Sequence, residues 1–159
     1  MSIGHMPEGY TAVTPWIISH DTAGLLTWMA QAFGARETGR FVNPNGSIGH
    51  AETRIGDAIV MAFDAPAEWP ATPAFLRLYV EDAHAVHAAA VAAGGVSVTE
   101  VTHLFFGDLV GRVRDPFGNL WWIQTHIEDV TEDEVARRLA DPRFTAAMEY
   151  VQGARLVED

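Results

Sequence analysis

The sequence predicts an α+β fold. Two β-α-β-β-β modules form curled mixed sheets around a concave cup, with the helices outside and a helical tail at the C-terminus. Three observations predict it. First, Trp16-Ile17-Ile18-Ser19-His20-Asp21-Thr22-Ala23, a helical stretch and Phe33-Gly34-Ala35 have a later counterpart: Leu78-Tyr79-Val80-Glu81-Asp82-Ala83, a helical stretch and Ala93-Gly94-Gly95-Val96. Second, Asp21 maps onto Asp82 and Gly34 onto Gly95, both at an offset of 61 residues. One offset shared by strand, helix start and helix stop marks a duplicated unit. Third, Leu76, Leu78 and Val80 alternate with Phe75, Arg77 and Tyr79. That alternation describes a strand with one face packed on helices and the other, carrying a charge and two aromatics, lining a pocket.

The elements follow in order. Thr11–Ser19 is apolar, β-branched and aromatic, so it reads as a strand. Asp21 or Thr22 caps a helix over Ala23–Phe33, where Leu25, Met29 and Ala32 share one face and Gly34 ends the helix. Arg36–Val42 and Ser47–Ile55 are strands joined by the turn Asn43-Pro44-Asn45-Gly46, and Gly56-Asp57 turns into Ala58–Phe63. The Pro66 and Pro70 region links the modules. The second module has strands over Phe75–Val80, Val96–Val101, Leu109–Arg114 and Leu120–Thr125, with a helix over Ala83–Ala93. Thr131-Glu132-Asp133-Glu134 is a capping box for a tail helix, and Asp141-Pro142 opens another that ends at Gly153. Its apolar stripe, Phe144, Met148 and Val151, is expected in the core or at a dimer contact. Residues 1–9 read as a flexible tail, 10–127 as one domain of two modules (10–64 and 73–127), and 128–159 as a C-terminal helical extension.

Composition narrows the function. Of 159 residues, 48% are hydrophobic, enough to bury a real core. The chain has no cysteine, which excludes disulfides, thiolate metal sites and cysteine nucleophiles. A formal net charge of −11 repels phosphate backbones and argues against nucleic acid as a partner. No apolar run is long enough to span a bilayer, and residues 1–8 lack a signal-peptide core, so a soluble, cytoplasmic protein with no membrane partner is expected. No nucleophile–base arrangement, P-loop or dinucleotide fingerprint occurs.

The paired modules, with Arg114-Asp115-Pro116-Phe117-Gly118-Asn119 in the last hairpin, resemble the vicinal oxygen chelate superfamily of glyoxalases, bleomycin-resistance proteins and extradiol dioxygenases. Ile55-Gly56-Asp57, Phe106-Gly107-Asp108 and Thr125-His126-Ile127-Glu128-Asp129-Val130-Thr131 resemble its PhnB-like branch. The resemblance covers roughly Tyr10–His126 and implies a homodimer with a small-molecule site in the cup. Family enzymes hold a metal through one residue on the first strand and one on the last strand of each module. The corresponding positions here are Thr14, Met61 (Val60 if the first module's turn is one residue shorter), Phe75 and Trp122. These residues do not supply the carboxylate and imidazole donors that a divalent cation needs. The resemblance therefore implies no metal cofactor, and a closer likeness to members that sequester antibiotics or other small aromatic molecules.

If those positions face the cup, strand parity adds Trp16, Phe63, Arg77, Tyr79, Gln124 and His126. The aromatic side chains offer flat apolar faces for a planar ligand, and Arg77 a charge that either meets an anionic group or pairs internally, for instance with Glu52. His50 and Glu52, two residues apart on one strand face, read as a base with its orienting carboxylate, as part of a displaced metal site with His126, or as a structural pair. These two are the catalytic candidates of a lyase or oxygenase alternative. His84 and His87 share a helix face expected to be solvated. Leu104-Phe105-Phe106-Gly107-Asp108 is a candidate loop over the cup, with Phe106 a candidate ligand contact because two adjacent phenylalanines cannot be buried in the same direction.

Overall fold

The structure, a computed structural model, describes residues 3–157. It divides into two units, Met1–Ala74 and Phe75–Asp159. The first contains β1 (Trp16–Ser19), α1 (Thr22–Phe33), β2 (Arg36–Val42), β3 (Ile48–Ile55) and β4 (Ala58–Asp64). The second contains β5 (Phe75–Tyr79), α2 (Ala83–Ala92), β6 (Val96–His103), β7 (Asp108–Arg114), β8 (Leu120–His126), α3 (Glu132–Leu139) and α4 (Pro142–Gly153). Each unit has one four-stranded mixed sheet, in the orders β1-β4-β3-β2 and β5-β8-β7-β6. The α+β class and the twice-used β-α-β-β-β order are those the sequence predicts.

The repeat holds at the level of register. Trp16 pairs with Met61 across the parallel β1–β4 ladder as Arg77 pairs with Trp122 across β5–β8. Asp21 and Asp82 are both N-caps, accepting from the backbone N–H of Gly24 and Ala85 at 2.9 and 3.0 Å. That satisfies one orphan donor at each helix start.

Two expectations change. The first strand begins at Trp16 rather than Thr11, because Pro15 has no N–H to give the ladder; only its carbonyl takes part, accepting from Met61 N at 2.9 Å. The left-handed residue ending the second helix is Gly94 (φ 112°), the counterpart of Gly34 (φ 66°); Gly95 is needed instead for close approach, since a Cβ there would lie 2.6 Å from Val113 Cγ1. The repeat offset thus drops to 60 for β6 and β7. It returns to 61 in β8, because Arg114↔Leu120 spans one residue more than Arg54↔Ile59. The longer turn is held by the buried Asp115 carboxylate. It accepts from Phe117 N, Asn119 N, Asn119 Nδ2 and Trp121 Nε1, each at 2.9 Å.

Each sheet buries one face under its helix. In the first unit Ile17, Ala51, Val60 and Ala62 pack with Leu25 and Met29 of α1 in the core. In the second, Trp121, Ile123 and Val113 are fully buried. His87 belongs to this core rather than to a solvated face: it is buried and its Nε2 lies 3.1 Å from Thr99 O and from Ser97 Oγ. Among the described residues no helix is long and apolar enough to cross a membrane.

The other face of the second sheet is partly covered by the tail. Leu104, Val110 and Val151 form a cluster against which Trp122, Ala147 and Met148 pack. Arg112 fastens α4 there, donating to Val151 O and, through Nε, to Thr99 Oγ1 at 3.2 Å. Phe144 is buried too, edge-on to His103 at 5.3 Å. The α4 stripe is therefore core of its own unit, and Phe144 and Val151 are not free to contribute to a dimer contact.

Candidate functional site

Strand pairing decides which predicted side chains share a face. On the first sheet the face away from α1 carries Trp16 on β1, His50 and Glu52 on β3, and Met61 and Phe63 on β4. Trp16 remains 48% exposed although it meets two rings edge-on, His50 at 5.4 Å and Phe63 at 5.5 Å. Trp69, from the segment after β4, extends the row by meeting Phe63 at 6.3 Å. Such T-shaped contacts are the favoured geometry for rings with negative faces and positive edges.

Beside these rings lies a polar chain. The Tyr10 hydroxyl donates to Glu52 Oε2 at 2.5 Å, and Glu52 Oε1 lies 2.9 Å from His50 Nε2. The Tyr10 and His50 contacts hold the Glu52 carboxyl below its usual range, while the hydrogen bond to Glu52 pushes the Tyr10 phenol up. An ionised carboxylate only accepts, so in the neutral ring His50 Nε2 carries the proton and Nδ1 the lone pair. Glu52 is thus engaged by Tyr10 and His50. Tyr10 and Trp69 escape sequence reading: Tyr10 reaches Glu52 across 42 residues, and neither belongs to a periodic segment.

On the second sheet the register places Phe75, Arg77 and Tyr79 of β5, Trp122, Gln124 and His126 of β8, and Asp108, Val110 and Arg112 of β7 on one face. Phe75 and Tyr79 are 52% and 62% exposed, and Arg77 is exposed with no ion pair among the described residues. Trp122 is half-buried, tilted against Phe75 at 5.8 Å and under the Arg112 guanidinium at 5.6 Å. Gln124 is buried and spoken for, donating to Asp108. Asp108 also accepts from His126 Nδ1 at 2.6 Å, while His126 Nε2 reaches Asp129 at 3.0 Å. Asp108 first, then Asp129, raises the His126 pKa. Phe106 is exposed, and Leu104–Asp108 is a tight hairpin turn: Leu104 N donates to Asp108 O at 2.9 Å, and Ile127 N ties Gly107 O to the tail at 3.0 Å.

The positions that the resemblance assigns to metal ligands lack the donors a divalent metal needs. Thr14 donates its hydroxyl to Thr11 O, Phe75 and Trp122 face each other as rings, and Met61 offers only a soft thioether. Among the described residues no group of three or more His, Asp or Glu side chains is placed to hold a metal.

Comparison with known proteins places these features in a family context. The family model for the Glyoxalase/Bleomycin resistance protein/Dioxygenase superfamily matches residues 9–123. An uncharacterized protein of Mycobacterium bovis is 32% identical over 135 residues, covering 78% of this chain and 89% of that protein. The crystal structure of TioX from Micromonospora sp. ML1 is similar with a TM-score of 0.62 at 24% identity, covering 74% of this chain and 99% of TioX. A PhnB protein from Bacillus cereus, described as a putative 3-demethylubiquinone-9 3-methyltransferase, has a TM-score of 0.56 at 13% identity over 72% of this chain and 99% of its own. At these identities the two solved structures speak to the fold alone.

Proposed function

The chain belongs to the Glyoxalase/Bleomycin resistance protein/Dioxygenase superfamily, and on that premise we propose that it is a metal-independent binding protein for a small, planar, aromatic molecule of antibiotic-like character. The observation that carries this reading is the row of Trp16, His50, Phe63 and Trp69 on a sheet face away from the helix, with Trp16 half-exposed. Flat apolar walls with a few polar anchors suit a small-molecule site. The donor-poor residues Thr14, Met61, Phe75 and Trp122 support independence from metal. Phe75, Arg77 and Tyr79 offer a second, smaller platform. A cytoplasmic homodimer belongs to the same reading.

The test is a thermal-shift and calorimetric screen of planar aromatic compounds, with and without chelator. A hit should raise the melting temperature equally in both conditions. Trp16→Ala should weaken it by about 1–3 kcal/mol. Affinity lost on chelation, or unchanged in Trp16→Ala, would refute the reading.

A second reading, metal-free acid–base catalysis, is supported by the 2.9 Å His50–Glu52 contact, which orients an imidazole as a base. Turnover of a bound hit, abolished in His50→Phe, would favour it over simple sequestration.

A further inference from the structure

We infer that His50 Nδ1 is a hydrogen-bond acceptor built to select aromatic ligands that carry a hydroxyl group over those that do not. The inference rests on the aromatic-binding reading above and adds the ligand's chemistry. It follows from three features of one cluster. Glu52 accepts from Tyr10 at 2.5 Å and sits 2.9 Å from His50 Nε2, so both of its oxygens are engaged and the tautomer is set with the proton on Nε2. Among the described residues Nδ1 has no hydrogen-bond partner, while the His50 side chain is 37% exposed. Trp16 stands 5.4 Å away edge-on, so a planar ring lying along the Trp16–Phe63 row would bring a substituent to the lone pair.

The pairing has a chemical direction. A phenolic O–H donates to Nδ1, and the Nε2–H on the far side of the ring remains on the Glu52 carboxylate. Any positive charge gathered by the imidazole is therefore offset by Glu52, and the acceptor is strengthened by its anionic neighbour. An ether, with no proton to donate, leaves Nδ1 dry and unpaired. Tyr10 is a positioning residue: it touches Glu52 and not the ligand.

The probes are 2-naphthol and its methyl ether, 2-methoxynaphthalene, titrated calorimetrically into the full chain and into His50→Phe, which keeps a ring beside Trp16 but removes the acceptor. Wild type should bind the naphthol at least about tenfold more tightly than the ether, and His50→Phe should bind the two equally with the ether's affinity retained. Nitrogen-15 NMR of His50 should show the Nε2–H tautomer. Equal affinities in wild type, a preference surviving in His50→Phe, or an Nδ1–H tautomer would overturn the inference while leaving aromatic binding intact. If neither probe binds, both this inference and the aromatic reading fail.

Discussion

Asp64 and Thr125 perform the same task 61 residues apart. Each stands at the end of the last strand of its unit and accepts from the first N–H of that unit's helix: Thr22 N to Asp64 Oδ1 at 2.8 Å, and Ala83 N to Thr125 Oγ1 at 2.9 Å. The duplicated module thus repeats a tertiary contact as well as its local caps, clamping each helix to the strand that completes its sheet. Asp64 also accepts from Ile48 N at 2.7 Å; burial pushes its carboxyl up, but the two backbone donors outweigh this and its pKa lies below the usual value.

Removing either clamp leaves a helix-start amide without its partner. Asp64→Ala and Thr125→Val should each lower the unfolding free energy by about 1–3 kcal/mol, with Asp64→Ala the more costly because two backbone donors are orphaned. Urea denaturation monitored by circular dichroism checks this ordering.

Trp16 and Trp122 should behave differently although they share a sequence logic. Trp122 packs with Leu104, Val110 and Met148 beneath α4, so Trp122→Ala should cost about 3 kcal/mol of stability. Trp16→Ala removes two edge contacts from a half-exposed ring and should cost only about 1 kcal/mol. Equal losses on urea unfolding would mean that α4 does not cover the second sheet in solution.

His126 should titrate above its ordinary value of 6.5, because Asp108 and Asp129 favour the imidazolium. A raised folded-state pKa means that the stabilisation is complete below the unfolded value and fades as pH climbs through the folded one. The stability gap between wild type and His126→Gln should therefore be widest below 6.5 and shrink on the alkaline side. Proton NMR titration of the His126 ring supplies the direct reading.

Glu128 behaves with the opposite sign. Arg138 first, then His103, lowers its carboxyl from 4.5 to about 2, against the cost of burial. Its contribution is present above 4.5 and disappears as pH falls through about 2. Since Arg138 also bonds Glu134 of α3 at 2.8 Å, hydrogen exchange in α3 should quicken over that window in wild type. In Glu128→Gln it should already be fast above it.

The module order, both N-caps and most turns are legible in the sequence because each is written within a few residues: Asp21 with Gly24, Asp82 with Ala85, Asp115 with Asn119. Strand parity likewise puts Trp16, Met61 and Phe63 on one sheet face and Arg77, Trp122 and Gln124 on another. Where sequence reading slipped, the local signal was ambiguous. Gly94-Gly95 offers two helix stops, and only the approach of Val113 selects between them. His87 lies on a weakly amphipathic alanine-rich helix, so nothing in its spacing marks the buried side.

By itself the sequence determined the doubled α+β architecture, since periodicity and capping are properties of short stretches. Only the tertiary structure decided that Tyr10 orients Glu52 and His50, that Trp69 joins the ring row, and that α4 lies over Trp122. Those contacts join residues far apart in the chain, and their selection comes from packing and hydrogen-bond satisfaction after the sheets have formed.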